Sequence, residues 1–201
     1  MTARKGQDWG AAGGSPDVVV ATDEEAGALV DAARRQGQEP PVVGLTGGDL
    51  WRTLGGREGG SRLDGPDVVT LQVDIGRAQV DDQSKWFVAH CVARRPAWTG
   101  PSLAVMNAAF LGSWNLAPRA HPNDGRLDAI EADLSWSDRW KARRRLPSGT
   151  HVPHPDIRQR RITDGSWEFS RPVTIRLDGR VEWRSNTLEI AVEPDALTVV
   201  I

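Results

Sequence analysis

The sequence predicts an α+β fold in which a small, truncated parallel α/β unit packs on a larger antiparallel β-sandwich domain. Strand and helix patterns alternate over the first sixty residues, whereas apolar residues of the C-terminal part recur with a period of two. A Gly-, Ser- and Arg-rich stretch separates the two patterns. We therefore expect a flexible N-terminal arm at 1–16, the α/β unit at 17–60 and the sandwich domain at 61–201.

The N-terminal unit carries local signals for strand, helix, strand and helix. Residues 18–21 form a short apolar run, and Thr22 followed by Glu25 is the signature of a capping box. The next apolar residues share one face of a helix: Ala26, Leu29, Val30 and Ala33. A second apolar run at 42–45 precedes a short helix that ends at Gly55. This order predicts a parallel unit with a right-handed crossover.

The C-terminal part reads as half-buried strands joined by turns. Apolar and polar residues alternate over 173–178, 188–193 and 197–201, which is typical of an antiparallel sheet with one solvated face. Asp-Gly pairs predict turns at 64/65, 124/125, 164/165 and 178/179. One helix is expected at about 137–146, ending before Pro147.

The composition argues against a general nucleic-acid-binding protein and against a protein with a transmembrane helix. Lys plus Arg number 25 and Asp plus Glu number 27, so the net charge of -2 predicts no general attraction to nucleic acid. The sequence lacks an uninterrupted apolar run of roughly 18 residues, so no transmembrane segment is predicted and the expected location is the cytoplasm. The single Cys91 lies in an apolar context and is expected to be a small buried hydrophobe.

Two polar segments have competing interpretations. The basic run of Lys141, Arg143, Arg144 and Arg145 could make a peripheral contact with anionic lipid headgroups, but a solvated helix face is the favoured explanation. His151 and His154 are three residues apart in a Pro-rich segment. We favour a loop over a metal site there, because helical spacing and an obvious third ligand are both missing.

Four motifs, in order along the chain, resemble those of one family. They are TGGDLWRTLG at 46–55, NAAFLG at 107–112 with APRAHPNDGRLD at 117–128, GTHVPHP at 149–155, and IRLDG at 175–179. Together they resemble the diacylglycerol kinase and sphingosine kinase family of lipid kinases. The resemblance extends from about Val18 to the C-terminus, and its longest match lies after residue 105.

The resemblance implies a nucleotide site between an α/β domain and a β-sandwich, and a lipid hydroxyl as phosphate acceptor. By that resemblance, Asp178 is the general base and Asp124 belongs to a structural magnesium site. It also implies that the nucleotide cleft is lined by Asp23, Thr46, Gly47, Gly48 and Asp49. An Asp-Gly hairpin turn is the alternative explanation for both Asp124 and Asp178.

Departures from the family pattern predict weak ATP binding. The phosphate loop that the family writes GGDGT is replaced by Ala21 and three consecutive acids at 23–25, which would repel a triphosphate. A strand and helix that precede this loop in the family are expected to be missing, because 17 residues come before Val18. The favoured hypothesis is a degenerate kinase or binding protein. An active lipid kinase and a lipid or small-molecule carrier are the alternatives. The incomplete α/β layer makes a homodimer a reasonable expectation.

Overall fold

The computed structural model describes residues 9–56, 63, 65, 67–150 and 154–201, and the elements below are those of the described residues. The helices are α1 (Asp23–Arg35), α2 (Gly48–Thr53) and α3 (Trp136–Arg145). The strands of the N-terminal third are β1 (Gly10–Ala12), β2 (Val18–Val20), β3 (Val43–Leu45) and β4 (Val69–Val80). The remaining strands are β5 (Gln83–Phe87), β6 (His90–Arg94), β7 (Ser102–Met106), β8 (Phe110–Leu111), β9 (Trp114–Asn115), β10 (Leu127–Ala132), β11 (Ile157–Ile162), β12 (Asp164–Leu177) and β13 (Arg180–Val200).

Most described strands belong to one sheet. Its main path runs β1-β4-β13-β12-β6-β7-β10-β11, and these neighbours pair antiparallel. The small parallel part joins this sheet through β3, whose Val43 pairs in parallel with Val199 of β13, and β2 pairs in parallel with β3. The α+β class predicted from the sequence is confirmed. The parallel strands branch from the C-terminal end of β13, an interior strand of the large sheet, instead of forming a sheet of their own.

Three groups of buried apolar side chains hold the layers together. One packs α1 and α2 against the parallel strands, with Val30, Leu45 and Leu50 fully buried. A second fills the space among β4, β6, β7, β10, β12 and β13. The third is smaller and includes Met106 and Leu146, which follows α3. This third group lies beside α3, the one α-helix among the described residues of the C-terminal part, and beside the 3-10 turn at Leu146–Ser148.

The local signals of the N-terminal unit are confirmed. The Thr22 side chain accepts a hydrogen bond from the Glu25 N–H, and the Glu25 carboxylate accepts one from the Thr22 N–H, which completes the capping box. The second strand and short helix also form where predicted, as β3 and α2. In the C-terminal part, α3 occupies nearly the predicted range.

The structure differs from the sequence-based expectations in three places. Residues 10–12 of the expected arm pair with β4, while residues 1–8 lie outside the described residues. The pair 164/165 opens strand β12 instead of forming a turn, and the chain bends at Thr163. The two runs expected as separate strands near the C-terminus form one strand, β13, because the irregularity at Asp195 shifts the register without ending the pairing.

Two further expectations concern residues that the structure covers only in part. The expected boundary at residues 59–66 lies mostly outside the described residues, as does Asp64 of the predicted turn at 64/65. Among the residues that the structure does describe, no helix combines the length and the apolar character needed to cross a membrane.

Candidate functional site

The residues predicted to line a nucleotide cleft meet where β2 and β3 end and α1 and α2 begin. Asp23, at the start of α1, turns its carboxylate to the start of α2. Its Oδ2 accepts a hydrogen bond from the Asp49 N–H at 2.5 Å, and its Oδ1 accepts one from the Leu50 N–H at 3.0 Å. The free N–H groups at a helix start are a usual anion site. In this protein an internal carboxylate already occupies them.

The residues between β3 and α2 pack tightly on the first helix start. The Thr46 hydroxyl donates a hydrogen bond to the Val20 carbonyl at 3.0 Å. A Cβ atom at Gly47 would lie 2.4 Å from the Ala21 carbonyl oxygen. Gly48 has a positive φ of 97°, and a Cβ there would lie 2.5 Å from Oδ1 of Asp23. These glycines therefore let two turns approach each other, which is a structural reason for their presence.

Asp49 connects this region to the β-sheet through His90. Its Oδ2 lies 3.2 Å from Nε2 of His90 and accepts the Gly112 N–H at 2.8 Å. Burial opposes protonation of His90, but the hydrogen bond with Asp49 and the charges of Asp178 and Asp23 outweigh it and raise the pKa of His90. His90 was not predicted from the sequence. It lies at the start of β6, after a break at residues 88–89 in a run that reads as one continuous strand.

Asp178 occupies the turn between β12 and β13, at a positive φ of 49°, as an Asp-Gly hairpin predicts. Its carboxylate nevertheless points inward and accepts three backbone N–H groups, from Val88 and Ala89 at 2.9 Å and from His90 at 3.0 Å. Burial raises the pKa of Asp178 to about 6. The backbone of Asp178 thus forms the turn, while its buried carboxylate anchors residues 88–90.

Asp178 has little free space around it. A Cβ on Gly27 of α1 would lie 2.5 Å from its Oδ2. The adjoining cavity, bounded by α1 and the β12–β13 turn, measures about 10 Å³, which is about the minimum that holds one water molecule. We call Asp23, Asp49, His90 and Asp178 the acidic cluster. Its four side chains are held mainly by one another and by backbone N–H groups.

Two groups of described side chains have ligating atoms close enough to share a cation. Asp23, Asp49 and His90 form the first, and Asp138, His154 and Asp156 form the second, each with atoms within 4.8 Å of one another. The second group is more exposed. His151, the other member of the histidine pair considered in the sequence, lies outside the described residues.

Asp124, the predicted magnesium ligand, forms an ion pair with Arg161 of β11. Within the described chain, no group of three ligating side chains includes Asp124. Nearby, the buried Asp74 accepts the Gly125 N–H at 2.7 Å and the Asp195 N–H at 2.9 Å, so it fixes the loop that carries Asp124. A guanidinium where a hard cation is expected does not fit a magnesium site. The metal role of Asp124 remains a prediction.

A second site lies beneath α3, apart from the residues predicted to line a nucleotide cleft. It is a cavity of about 230 Å³ with mostly apolar walls. The walls come from the 3-10 turn Pro96–Trp98 after β6, from β7, β9 and β10, and from α3. Four tryptophans line it: Trp98, Trp114, Trp136 and Trp140. Arg139 and Arg143 of α3 supply its cations. We call this the tryptophan pocket.

The arginines of the pocket rest on aromatic rings. The Arg139 guanidinium lies 5.2 Å from the ring centre of Trp136, and that of Arg143 lies 5.7 Å from the ring centre of Trp114. Among the described residues, neither guanidinium forms an ion pair with a carboxylate. The pocket therefore pairs an apolar interior with cations that form no ion pair among the described residues.

Comparison with protein families decides the relationship. Residues 70–201 match the model of the YegS C-terminal NAD kinase beta sandwich-like domain. The chain belongs to this family. Since the match covers more than half of the chain, it confirms the β-sandwich-like part and the resemblance to lipid kinases proposed from the motifs. No curated protein matches the sequence.

Solved structures show how far the fold extends beyond that domain. The chain is similar to one described as a "putative diacylglycerol kinase" from Bacillus anthracis str. Sterne, with 15% identity and a TM-score of 0.67, covering 91% of this chain and 77% of the other. A second structure so described gives 14% identity, a TM-score of 0.68 and coverage of 90% and 76%. At this identity the likeness shows the fold. It includes the N-terminal unit that lies before the family match.

The motifs predicted three of the four residues of the acidic cluster: Asp23, Asp49 and Asp178. Of the tryptophan pocket, the sequence singled out Arg143 as part of the basic run and did not predict the cavity. The structure brings Asp23, Thr46, Gly47, Gly48 and Asp49 to one place, close to Asp178, and leaves Asp124 apart from them. The available signal for the pocket was composition, because nine tryptophans and no tyrosine make an unusual set. Their clustering depends on contacts between residues far apart in the chain.

Proposed function

We propose that this family member binds an anionic lipid in the tryptophan pocket and has lost the ability to phosphorylate it. The observation that carries the proposal is the pocket itself, an apolar cavity of about 230 Å³ with arginines beside it. On the same measure about 10 Å³ is the least that holds one water molecule, so this cavity has room for many groups of that size. This volume suits a short acyl chain or the end of a longer one.

The acidic cluster supports the second half of the proposal. A nucleotide phosphate would have to replace Asp23 on the N–H groups of Asp49 and Leu50. At the start of α1 the Glu25 carboxylate likewise accepts the Ala21 and Thr22 N–H groups, at 2.9 and 3.2 Å. Both helix starts are therefore neutralised by acids of the chain itself, and the remaining charge repels an incoming phosphate.

Calorimetry with octyl phosphate tests the lipid part, because this probe has one eight-carbon chain and one anionic group. We expect binding to the wild type and weaker binding of octanol, which lacks the charge. Ala142→Phe places a large side chain at the pocket wall and should weaken octyl phosphate at least about tenfold. Ser137→Phe, on the same helix outside the lining, is the matched control and should bind as the wild type does.

The lipid part of the proposal fails if millimolar octyl phosphate gives no binding heat, or if Ala142→Phe binds it as tightly as the wild type. The nucleotide part is tested separately. We expect no heat with millimolar MgATP, and a dissociation constant below about 0.1 mM would overturn the loss of nucleotide binding.

An active lipid kinase is the second candidate, and one observation favours it. Burial raises the pKa of Asp178 to about 6, near the range that suits a general base at neutral pH. Its three N–H partners and the small cavity beside it oppose this role, because no acceptor hydroxyl fits against the carboxylate without movement of α1. Transfer of labelled phosphate from ATP to dioctanoylglycerol, abolished by Asp178→Asn, would establish this candidate in place of the first.

A further inference from the structure

Helix α3 presents an unusual surface to solvent. Trp136 is 71% exposed and Trp140 is 64% exposed. They are four residues apart, so they lie on one face of the helix. Among the described residues, these are the tryptophans in the exposed class, and no side chain of α3 is buried. Two neighbouring exposed indoles are a costly surface for a protein to leave in water.

The same helix concentrates positive charge in a protein whose net charge is -2. Its ten residues include one acid, Asp138, and five cations: Arg139, Lys141, Arg143, Arg144 and Arg145. Lys141 pairs with Asp138 at 3.0 Å. In the described part of the chain, the four arginines form no ion pair with an acid, and Arg144 lies 4.9 Å from the ring centre of Trp140.

This combination fits the surface of an anionic bilayer. Tryptophan is favoured at the level of the headgroups, since its ring is apolar and its N–H can remain hydrated. Arginines beside it gain from the negative potential of the leaflet, each improving the partition coefficient roughly fivefold. An acidic protein surface could also meet this charge and cover the indoles. The apolar pocket that α3 walls, directly beside these residues, favours a lipid surface over a protein one.

The position of α3 connects this surface to the pocket. Trp136, Arg139, Trp140 and Arg143 belong to both, because the helix forms one wall of the cavity. We infer that α3 is a membrane-docking helix, which places Trp136 and Trp140 in the headgroup layer of an anionic bilayer and brings the tryptophan pocket to its surface. This inference deepens the proposed function, and rests on it, by naming the bilayer as the source of the lipid.

Co-sedimentation with vesicles tests the docking. We expect the wild type to bind phosphatidylglycerol vesicles and to remain unbound with phosphatidylcholine vesicles. Arg144→Glu with Arg145→Glu, both outside the pocket lining, should weaken binding at least about tenfold. Arg171→Glu with Arg184→Glu makes the same change in net charge at exposed positions of β12 and β13, and should bind as the wild type does.

A second pair of variants tests the contribution of the exposed tryptophans to vesicle binding. Trp136→Ser with Trp140→Ser should also lose vesicle binding, whereas Val181→Ser, at another exposed apolar position, should retain it. Brominated acyl chains should quench the fluorescence of the wild type more than that of the double tryptophan variant. Equal binding to neutral and anionic vesicles, no vesicle binding by the wild type, or unchanged binding by either α3 variant would overturn the inference.

Two outcomes separate this inference from the proposed function. If Arg144→Glu with Arg145→Glu binds octyl phosphate normally but fails on vesicles, the docking helix is supported independently of the pocket. Vesicle binding by the wild type without octyl phosphate binding would refute the pocket and leave α3 as a membrane surface. Binding of wild-type protein to an RNA oligonucleotide in place of vesicles would overturn the membrane assignment.

Discussion

The acidic cluster and the tryptophan pocket differ in what their charged side chains contact. In the cluster, Asp23 and Asp178 are buried, and their oxygens accept backbone N–H groups of the chain itself. In the pocket, arginines rest on tryptophan rings, and a cavity of about 230 Å³ stays open between them. A site whose donors are already used has little free energy to offer a ligand, whereas an apolar cavity with unpaired cations has much.

The largest effect is expected from removing the Asp178 carboxylate. Asp178→Ala leaves the N–H groups of Val88, Ala89 and His90 without an acceptor in a buried setting. We expect the free energy of unfolding to fall by about 4 kcal/mol, since each unsatisfied group costs about 1–3 kcal/mol. Denaturant unfolding at pH 5 measures it.

Asp81→Ala is the matched control for this prediction. Asp81 also has a positive φ, 52°, at the exposed turn that joins β4 to β5, so it shares the backbone cost of placing alanine there. We expect it to lose less than about 1 kcal/mol. Equal stability of Asp178→Ala and Asp81→Ala would show that Asp178 is not a structural anchor, and would favour a catalytic role.

The pH dependence of stability gives the next largest effect. Burial raises the pKa of Asp178 from its ordinary value of 3.8 to about 6 in the folded protein. The folded state therefore holds this proton more tightly than the unfolded chain, so the contribution of Asp178 to stability falls as the pH rises from about 4 to about 6. The expected change is on the order of 3 kcal/mol, at about 1.4 kcal/mol per pKa unit.

Comparison with Asp178→Asn removes this titration, together with the part of the raised His90 pKa that the Asp178 charge supplies. Both contributions to stability fall as the pH rises. The free energy of unfolding of the wild type, minus that of Asp178→Asn, should become less favourable as the pH rises from 4 to 6.5. A difference that stays constant, or that grows more favourable, would mean that the three N–H donors keep the carboxylate ionised at all of these pH values.

The elements that could be predicted from the sequence are those governed by local rules. The Thr22–Glu25 capping box and the Asp178–Gly179 turn depend on residues three or fewer apart, and both are present. The same turn rule was wrong at Asp164, because pairing of β12 with β13 keeps that residue extended. Long-range pairing can override a local preference, and nothing in the dipeptide shows when it will.

The acidic cluster and the tryptophan pocket also differ in how far local sequence patterns predict them. The acidic cluster could be approached from the motif that contains Asp49, but the part played by His90 could not, since residues 88–89 break the strand without a glycine or proline. The tryptophan pocket depends on contacts that join Trp98, Trp114 and α3 across the fold. Hydrophobic periodicity describes each of these residues only relative to its neighbours in sequence. It therefore predicts whether a residue belongs to the core or the surface, and it does not predict a cavity.

The smallest expected effect comes from breaking the ion pair between Asp124 and Arg161. It tests whether the Asp124 carboxylate is held by a side chain of the protein itself, as the carboxylates of the acidic cluster are held by groups of the chain. The pair is partly exposed, with Asp124 at 19% and Arg161 at 46%, so Arg161→Leu should lower the free energy of unfolding by about 1 kcal/mol. Arg160→Leu, on the same strand as Arg161, is the control. Arg160 pairs across the sheet with Glu131 of β10, at 43% and 31% exposure, and its loss should cost no more than that.

Magnesium distinguishes an internal ion pair from a cation site at Asp124. With Arg161 on the carboxylate, and no group of three ligating side chains around Asp124 in the described residues, we expect millimolar MgCl₂ to leave the Tm of the wild type unchanged. Arg161→Leu should gain nothing either, because one carboxylate is a weak magnesium ligand by itself. A rise of several degrees in the wild type would restore the predicted metal site. Asp124 would then resemble the arginines of the tryptophan pocket, as a charged group that remains available to a ligand, and would differ from the acidic cluster.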